Sequence, residues 1–102
     1  MQNSNLSIDS MLESASEASC FLKALSNENR LIILCNLLNQ ELSVGALNEK
    51  VPLSQSALSQ HLAVLRKDGL VATRRDSQTI YYSIADERIN EVIATLHRVF
   101  CK

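Results

Sequence analysis

Apolar residues recur along this chain with two periods, and the points where the period changes divide it into elements. From Asp9 to Leu25, Met11, Leu12, Ala15, Ala18, Leu22 and Leu25 return every three or four positions, which predicts a first helix with a modest apolar face. Ser26 and Asn27 interrupt it and offer N-cap oxygens to a second helix reaching about Asn39. Its run NRLIILCNLLN is apolar nearly all round, as expected of a helix covered on several sides. Ser43 caps a short third helix, VGALNEKV, stopped by Pro52. Ser54 caps a fourth, QSALSQHLAVLRK, closed by Gly69. Beyond Gly69 the period falls to two: GLVATRR and TIYYSIA, joined by the polar turn Asp76-Ser77-Gln78, read as a β-hairpin. Asp86 then caps a last helix with Ile89, Val92, Ile93, Leu96 and Phe100 on one stripe. The expectation is a mainly α fold with a β-hairpin, order α-α-α-α-β-β-α, in one domain over residues 9–102 behind a polar tail, residues 1–8.

Composition supports this reading. At 102 residues the chain suits one domain that buries roughly two-thirds of its unfolded surface. Two glycines and one proline leave few turns, which favours helices, and an aromatic content of 4% leaves the core to aliphatic side chains. No apolar run is long enough to span a bilayer, and MQNSNLSIDS lacks the basic start and apolar stretch of a signal peptide, so a cytoplasmic protein with no membrane partner is expected. In that compartment Cys20, Cys35 and Cys101 would be held reduced, and any disulfide would be a switched one. No nucleophile-base pair, glycine-rich phosphate loop or carboxylate cluster suggests an enzyme, and nothing implies a cofactor.

A formal net charge of −1 argues against a polyanionic partner until its distribution is considered. Asp9, Glu13 and Glu17 make the first helix acidic, whereas residues 66–75 carry Arg66, Lys67, Arg74 and Arg75 against Asp68 alone. On a wheel of about 100° per residue, Leu58, Leu62 and Leu65 of the fourth helix face the core, and Ser56, Ser59, Gln60, Ala63 and Lys67 lie opposite. That outer face has no carboxylate, and its hydroxyls and amides suit base edges or phosphates in a major groove. Ser54 and Gln55 in the first turn join it. His61 lies at the edge of the buried face, placed for packing or a phosphate contact, and Arg74 and Arg75 at the hairpin tip suit a neighbouring groove or backbone. Singly, each feature reads more readily as a solvated surface; together they predict a helix-turn-helix with a wing that binds double-stranded DNA.

The stretch LSQSALSQHLAVLRKDGLVATRRDSQTIYYSI resembles the signature of the ArsR/SmtB family of winged-helix repressors, through Ser56, Ser59, His61, Leu62, Leu65, Gly69, Leu70 and Val71. LKALSNENRLIIL, with Asn27 and Arg30, is similar to that family's second-helix start, and the resemblance covers about residues 18–101. It implies a homodimer built mainly from the first and last helices, reading an inverted repeat with one recognition helix per half-site.

The metal sites common in that family are not reproduced. Where a Cys-x-Cys would begin the third helix stands Ser43-Val44-Gly45, and where Asp and His ligands would line the last helix, Asp86 is followed by Arg88 and only His97 is available. Thiols remain. Cys35 shares a face of the second helix with Leu31, Leu34 and Leu38, and Cys101 flanks the last apolar stripe one turn beyond His97. This pair, with LCNLLNQELSVGAL, resembles the HlyU/BigR branch of the family. That resemblance implies redox sensing: persulfides, polysulfides or oxidants crosslink Cys35 to Cys101 and change DNA affinity. Cys20 has no counterpart in the pattern and reads as a spare thiol. Three other readings stay open: Cys35 and Cys101 as small packed hydrophobes, a zinc site from Cys35, His97 and Cys101, and a winged-helix protein-interaction module without DNA binding.

Overall fold

The computed structural model describes residues 7–101. Helix α1 spans Ile8–Leu25, starting one residue earlier than expected because the Ser7 hydroxyl accepts the Ser10 amide and caps it. Of the predicted polar tail, residues 1–6 lie outside the described residues, and residues 7 and 8 open the helix. Helix α2, Glu28–Asn36, is capped by Asn27, whose Oδ1 accepts the Arg30 amide. It ends three residues short of the expected Asn39. Asn39 itself takes φ 61°, the left-handed turn conformation that asparagine tolerates and that no helix can continue through.

Ser43 and Ser54 each accept an amide three residues on and start α3, Val44–Lys50, and α4, Gln55–Lys67, with Pro52 in the connection. Gly69, at φ 77°, turns the chain out of α4, a conformation that strains any side chain. The hairpin follows as expected, with Val71 opposite Ile84 and Asp76 opposite Thr79. One strand escapes the sequence pattern: β1, Leu42–Ser43, pairs antiparallel with Tyr82 and Tyr81 of β3, Thr79–Ile84. β3 pairs on its other side with β2, Val71–Asp76, which gives the sheet order β1-β3-β2. Helix α5 spans Arg88–Phe100, and its N-cap position is Glu87, whose side chain makes no capping bond, rather than the expected Asp86; the Asp86 carboxylate instead accepts the Arg88 amide at 3.0 Å from one residue further out.

Helix α2 and the turn after it form the centre of the core. Ile33, Leu34 and Leu37 meet Leu47 of α3, Leu58, Leu62 and Leu65 of α4, and Ile89 of α5, all fully buried. Burying a leucine of this kind is worth about 1.5–3 kcal/mol. The radius of gyration, 15.4 Å, exceeds the roughly 13 Å of a compact domain this long. Helix α1 stands out from the core: residues 8–17 are all exposed, and its buried residues, Ala24 and Leu25, lie at its C-terminal end.

Candidate nucleic-acid interface and thiol groove

The structure places the fourth-helix residues as the sequence predicts. Leu58, Leu62 and Leu65 are fully buried, and Gln55, Ser56, Ser59, Gln60, Ala63 and Lys67 are exposed on the other side. Ser54 is exposed too, but its hydroxyl oxygen is committed to the Ala57 amide at 3.2 Å and lies 3.4 Å from the Ser56 hydroxyl. Any nucleic-acid contact from Ser54 therefore comes on top of its capping role. His61 is half-buried, and its Nδ1 accepts a hydrogen bond from Nε of Arg30 at 3.4 Å.

The two wing arginines differ in a way their sequence does not show. Ser77, at φ 59°, and Gln78 form the tip; Arg74 stands opposite Tyr81 and Arg75 opposite Ile80, both short of it. Arg74 is also not free to reach DNA as expected. It grips Glu41 through Nη2 at 2.6 Å and Nε at 3.1 Å and lies over the Tyr81 ring, 4.9 Å from its centre. The guanidinium fork matches a carboxylate as it would a phosphate, so Glu41 occupies the donors a backbone phosphate would use. This pairing holds the Glu41 carboxyl below its usual pKa. Arg75 is exposed and has no such partner among the described residues.

At the other end, Arg88 joins α5 to α1. It makes a two-pronged bond to Asp86 (2.6 and 3.0 Å), reaches Glu17 at 3.1 Å and lies 4.7 Å over the Phe21 ring. Its hydrogen bonds hold the Asp86 carboxyl below its usual pKa. Beside it an open cleft of about 460 Å³ has Cys20 in its wall with Arg30 and Asp68, away from the other two cysteines.

Cys35 and Cys101, 66 positions apart in the chain, line one groove of about 290 Å³ between α2 and α5, together with Leu31, Ile93, Leu96, His97 and Phe100. The groove is apolar throughout. Cys101 ends α5: its amide donates to the His97 carbonyl at 2.8 Å while its backbone has already turned extended, φ −105° and ψ 134°. Cys35 is exposed rather than enclosed in the core, since its side of α2 opens onto the groove; Leu34 beside it is fully buried. Burial against the groove wall pushes the Cys35 thiol pKa up, and negative charge on Cys101 pushes it further. The zinc alternative finds no ligand set. Cys35, His97 and Cys101 share the groove, yet among the described residues no three His, Cys, Asp or Glu side chains group closely enough to hold a metal ion.

Two residues at these sites were invisible to local pattern. Glu41 is one of several polar residues in a connecting turn, and nothing nearby announces a partner 33 positions on. Arg30 stands in the polar first turn of α2 and is named in the sequence only through the family resemblance; nothing local announces His61, 31 positions on.

Residues 27–73, from the α2 cap into the wing, match the family described as "Bacterial regulatory protein, arsR family". The transcriptional activator HlyU of Vibrio cholerae is 46% identical over all of this chain and 94% of its own length. Its solved structure, described as reduced, superposes with a TM-score of 0.84 at 49% identity, covering 93% of this chain and 100% of that one. The transcriptional repressor BigR from Xylella fastidiosa gives a TM-score of 0.91 at 35% identity, covering 95% and 99%. A homodimeric winged helix-turn-helix DNA-binding domain from Mycobacterium bovis gives 0.73 at 30% identity, covering 92% and 87%. Among the described residues no helix is long and apolar enough to cross a membrane. With α3 and α4 as the helix-turn-helix and β2–β3 as the wing, the chain belongs to the arsR family of bacterial regulatory proteins and is a DNA-binding transcriptional regulator rather than an enzyme.

Proposed function

We propose that this regulator works as a homodimer on an inverted-repeat operator and that crosslinking Cys35 to Cys101 switches its affinity. The observation that carries the reading is the shared groove: two thiols far apart in sequence face one apolar space between the central helix and the last. Met11, Leu12 and Leu22 of α1 and Val99 and Phe100 of α5 are large, apolar and exposed, which supports pairing through the first and last helices. Half-sites would lie about 34–36 Å apart, one recognition helix in each. Ser54, Gln55, Ser56, Ser59, Gln60, His61 and Lys67 form the reading surface, with Arg75 as the wing cation and Arg74 available only on leaving Glu41.

The chemistry balances with a persulfide as oxidant. One thiolate attacks the outer sulfur of a persulfide R–S–SH, giving Cys–S–SH and releasing R–SH. The second thiol attacks the cysteine's own sulfur and expels hydrogen sulfide, so two thiols are oxidised to a disulfide while the transferred sulfur is reduced to sulfide. With peroxide the intermediate is a sulfenic acid, and one water leaves at each step. A disulfide needs Cα atoms within about 7 Å, whereas with both cysteines persulfidated the outer sulfur of one attacks the inner sulfur of the other, expels hydrogen sulfide and leaves a longer trisulfide bridge. Either link closes a loop of about 66 residues, worth about 4 kcal/mol in the chain-entropy model, enough to bias a two-state dimer. Because α5 carries Cys101 and exposed dimer-side residues, drawing it toward α2 moves the two reading heads relative to each other.

The test treats reduced protein separately with glutathione persulfide and with hydrogen peroxide, maps crosslinks by mass spectrometry and measures affinity for DNA upstream of its own gene. A Cys35–Cys101 link with affinity about tenfold weaker, a change of 1.4 kcal/mol, is expected. Unchanged affinity, or Cys35→Ser and Cys101→Ser variants that respond like the wild type, overturns the switch.

A further inference from the structure

The contact between Arg30 and His61 points to one tautomer of the imidazole. A guanidinium nitrogen only donates, so His61 Nδ1, 3.4 Å from Arg30 Nε, is the acceptor and carries no proton. In neutral imidazole the remaining proton is then on Nε2. Nε2 has no partner among the described residues, yet no half-buried residue there has an enclosed, unpaired side-chain nitrogen or oxygen; this atom is therefore open to the surroundings. His61 follows Ser59 and Gln60 along α4, at the edge between the leucine face and the exposed polar face. Arg30 is itself pinned, since its Nη1 donates to the Ala24 carbonyl at the end of α1 at 3.4 Å.

We infer that Arg30 is a positioning residue for DNA reading: it fixes His61 as the Nε2–H tautomer and presents that N–H as a donor to an acceptor atom of DNA. The acceptor is a phosphate oxygen or a base-edge acceptor such as purine N7, guanine O6 or thymine O4. The DNA half of this inference rests on the reading surface proposed above; the tautomer half stands without it. Arg30 lies near the opposite end of α2 from Cys35, so its role does not depend on the thiol switch.

Nitrogen NMR of the free reduced protein reads the tautomer directly, with Nδ1 expected unprotonated and Nε2 protonated. Arg30→Met keeps bulk but removes the donor and should shift both signals toward a mixture of tautomers, while Arg30→Lys should restore part of the wild-type pattern. With a footprinted duplex from upstream of its own gene as probe, His61→Ala and Arg30→Met should each weaken binding about 3–10-fold, the span of one hydrogen bond. The double variant should bind no worse than His61→Ala. A loss equal on all sequences assigns the acceptor to a phosphate, and a loss confined to one base pair assigns it to a base edge. A wild-type ring protonated at Nδ1, a tautomer unmoved by Arg30→Met, or losses that add in the double variant each overturn the inference. Loss of all sequence-selective binding by the reduced wild type would instead remove the DNA reading and leave the tautomer result intact.

Discussion

Helices α1 and α4 carry the same kind of signal, apolar residues every three or four positions, and the structure uses it in opposite ways. The leucines of α4 are fully buried within one chain, and its polar face looks outward as a finished surface. On α1, Leu12 is 70% exposed and Leu22 58% exposed, and only the last turn is buried. Periodicity thus marks which face of a helix is to be covered, and the covering element decides whether one chain suffices. The apolar face of α4 is covered within the monomer, whereas the half made by the terminal helices leaves apolar surface open.

The largest expected effect tests that contrast at single leucines. Leu62→Ala leaves a cavity in a fully enclosed site and should cost about 3 kcal/mol in urea denaturation, within the usual range for such truncations. Leu12→Ala, at an exposed position, should cost far less at low protein concentration, where association contributes least. Equal losses would show that α1 is as integral to the monomer as α4. Next in size, Leu12→Glu should shift sedimentation from dimer to monomer at micromolar concentration, keep the helix content and weaken operator binding more than tenfold, because two linked reading heads bind far more tightly than one. A variant that remains dimeric would move the interface away from α1.

The bounds of the helix-turn-helix were legible in the sequence almost to the residue because they are set by local chemistry. Ser43, Ser54 and Gly69 each act within one turn, so their meaning can be read from neighbours. What escaped was non-local or ambiguous. A two-residue strand has no period, and Leu42–Ser43 becomes a strand only by meeting Tyr81 and Tyr82. Asn39 looked like the last residue of an apolar helix, though its left-handed backbone places it beyond the stop at Asn36. Hydropathy likewise could not show that the Cys35 side of α2 is open, since α2 is apolar on nearly every side and the opening depends on where α5 lies.

The wing sharpens the contrast within the reading half, with a smaller effect. Arg75→Ala should lower the salt dependence of DNA binding by about one counterion, and Arg74→Ala by less, because Arg74 is already neutralised by Glu41. Glu41→Gln removes the competing charge and should raise the salt slope toward one additional contact. Identical slopes for Arg74→Ala and Arg75→Ala would mean that DNA displaces Glu41 without difficulty, and the two arginines would then be equivalent.

The smallest effect lies in the other half, at the thiol in the groove. Burial first, and charge on Cys101 second, raise the Cys35 pKa above its ordinary value. The sign follows from linkage: the folded state holds this proton more tightly than the unfolded chain, so the stabilisation is complete below the unfolded thiol pKa of about 8.5 and is lost as pH rises through the raised value. Wild-type protein should therefore lose slightly more stability from pH 8 to pH 10 than Cys35→Ser does. Alkylation of Cys35 should likewise climb at higher pH than in the urea-unfolded chain, and Cys101→Ser should bring it only part of the way back, since burial is the larger cause. An alkylation profile matching the unfolded chain would mean that water reaches the groove freely, and the open apolar half would then shield its thiols no better than the surface does.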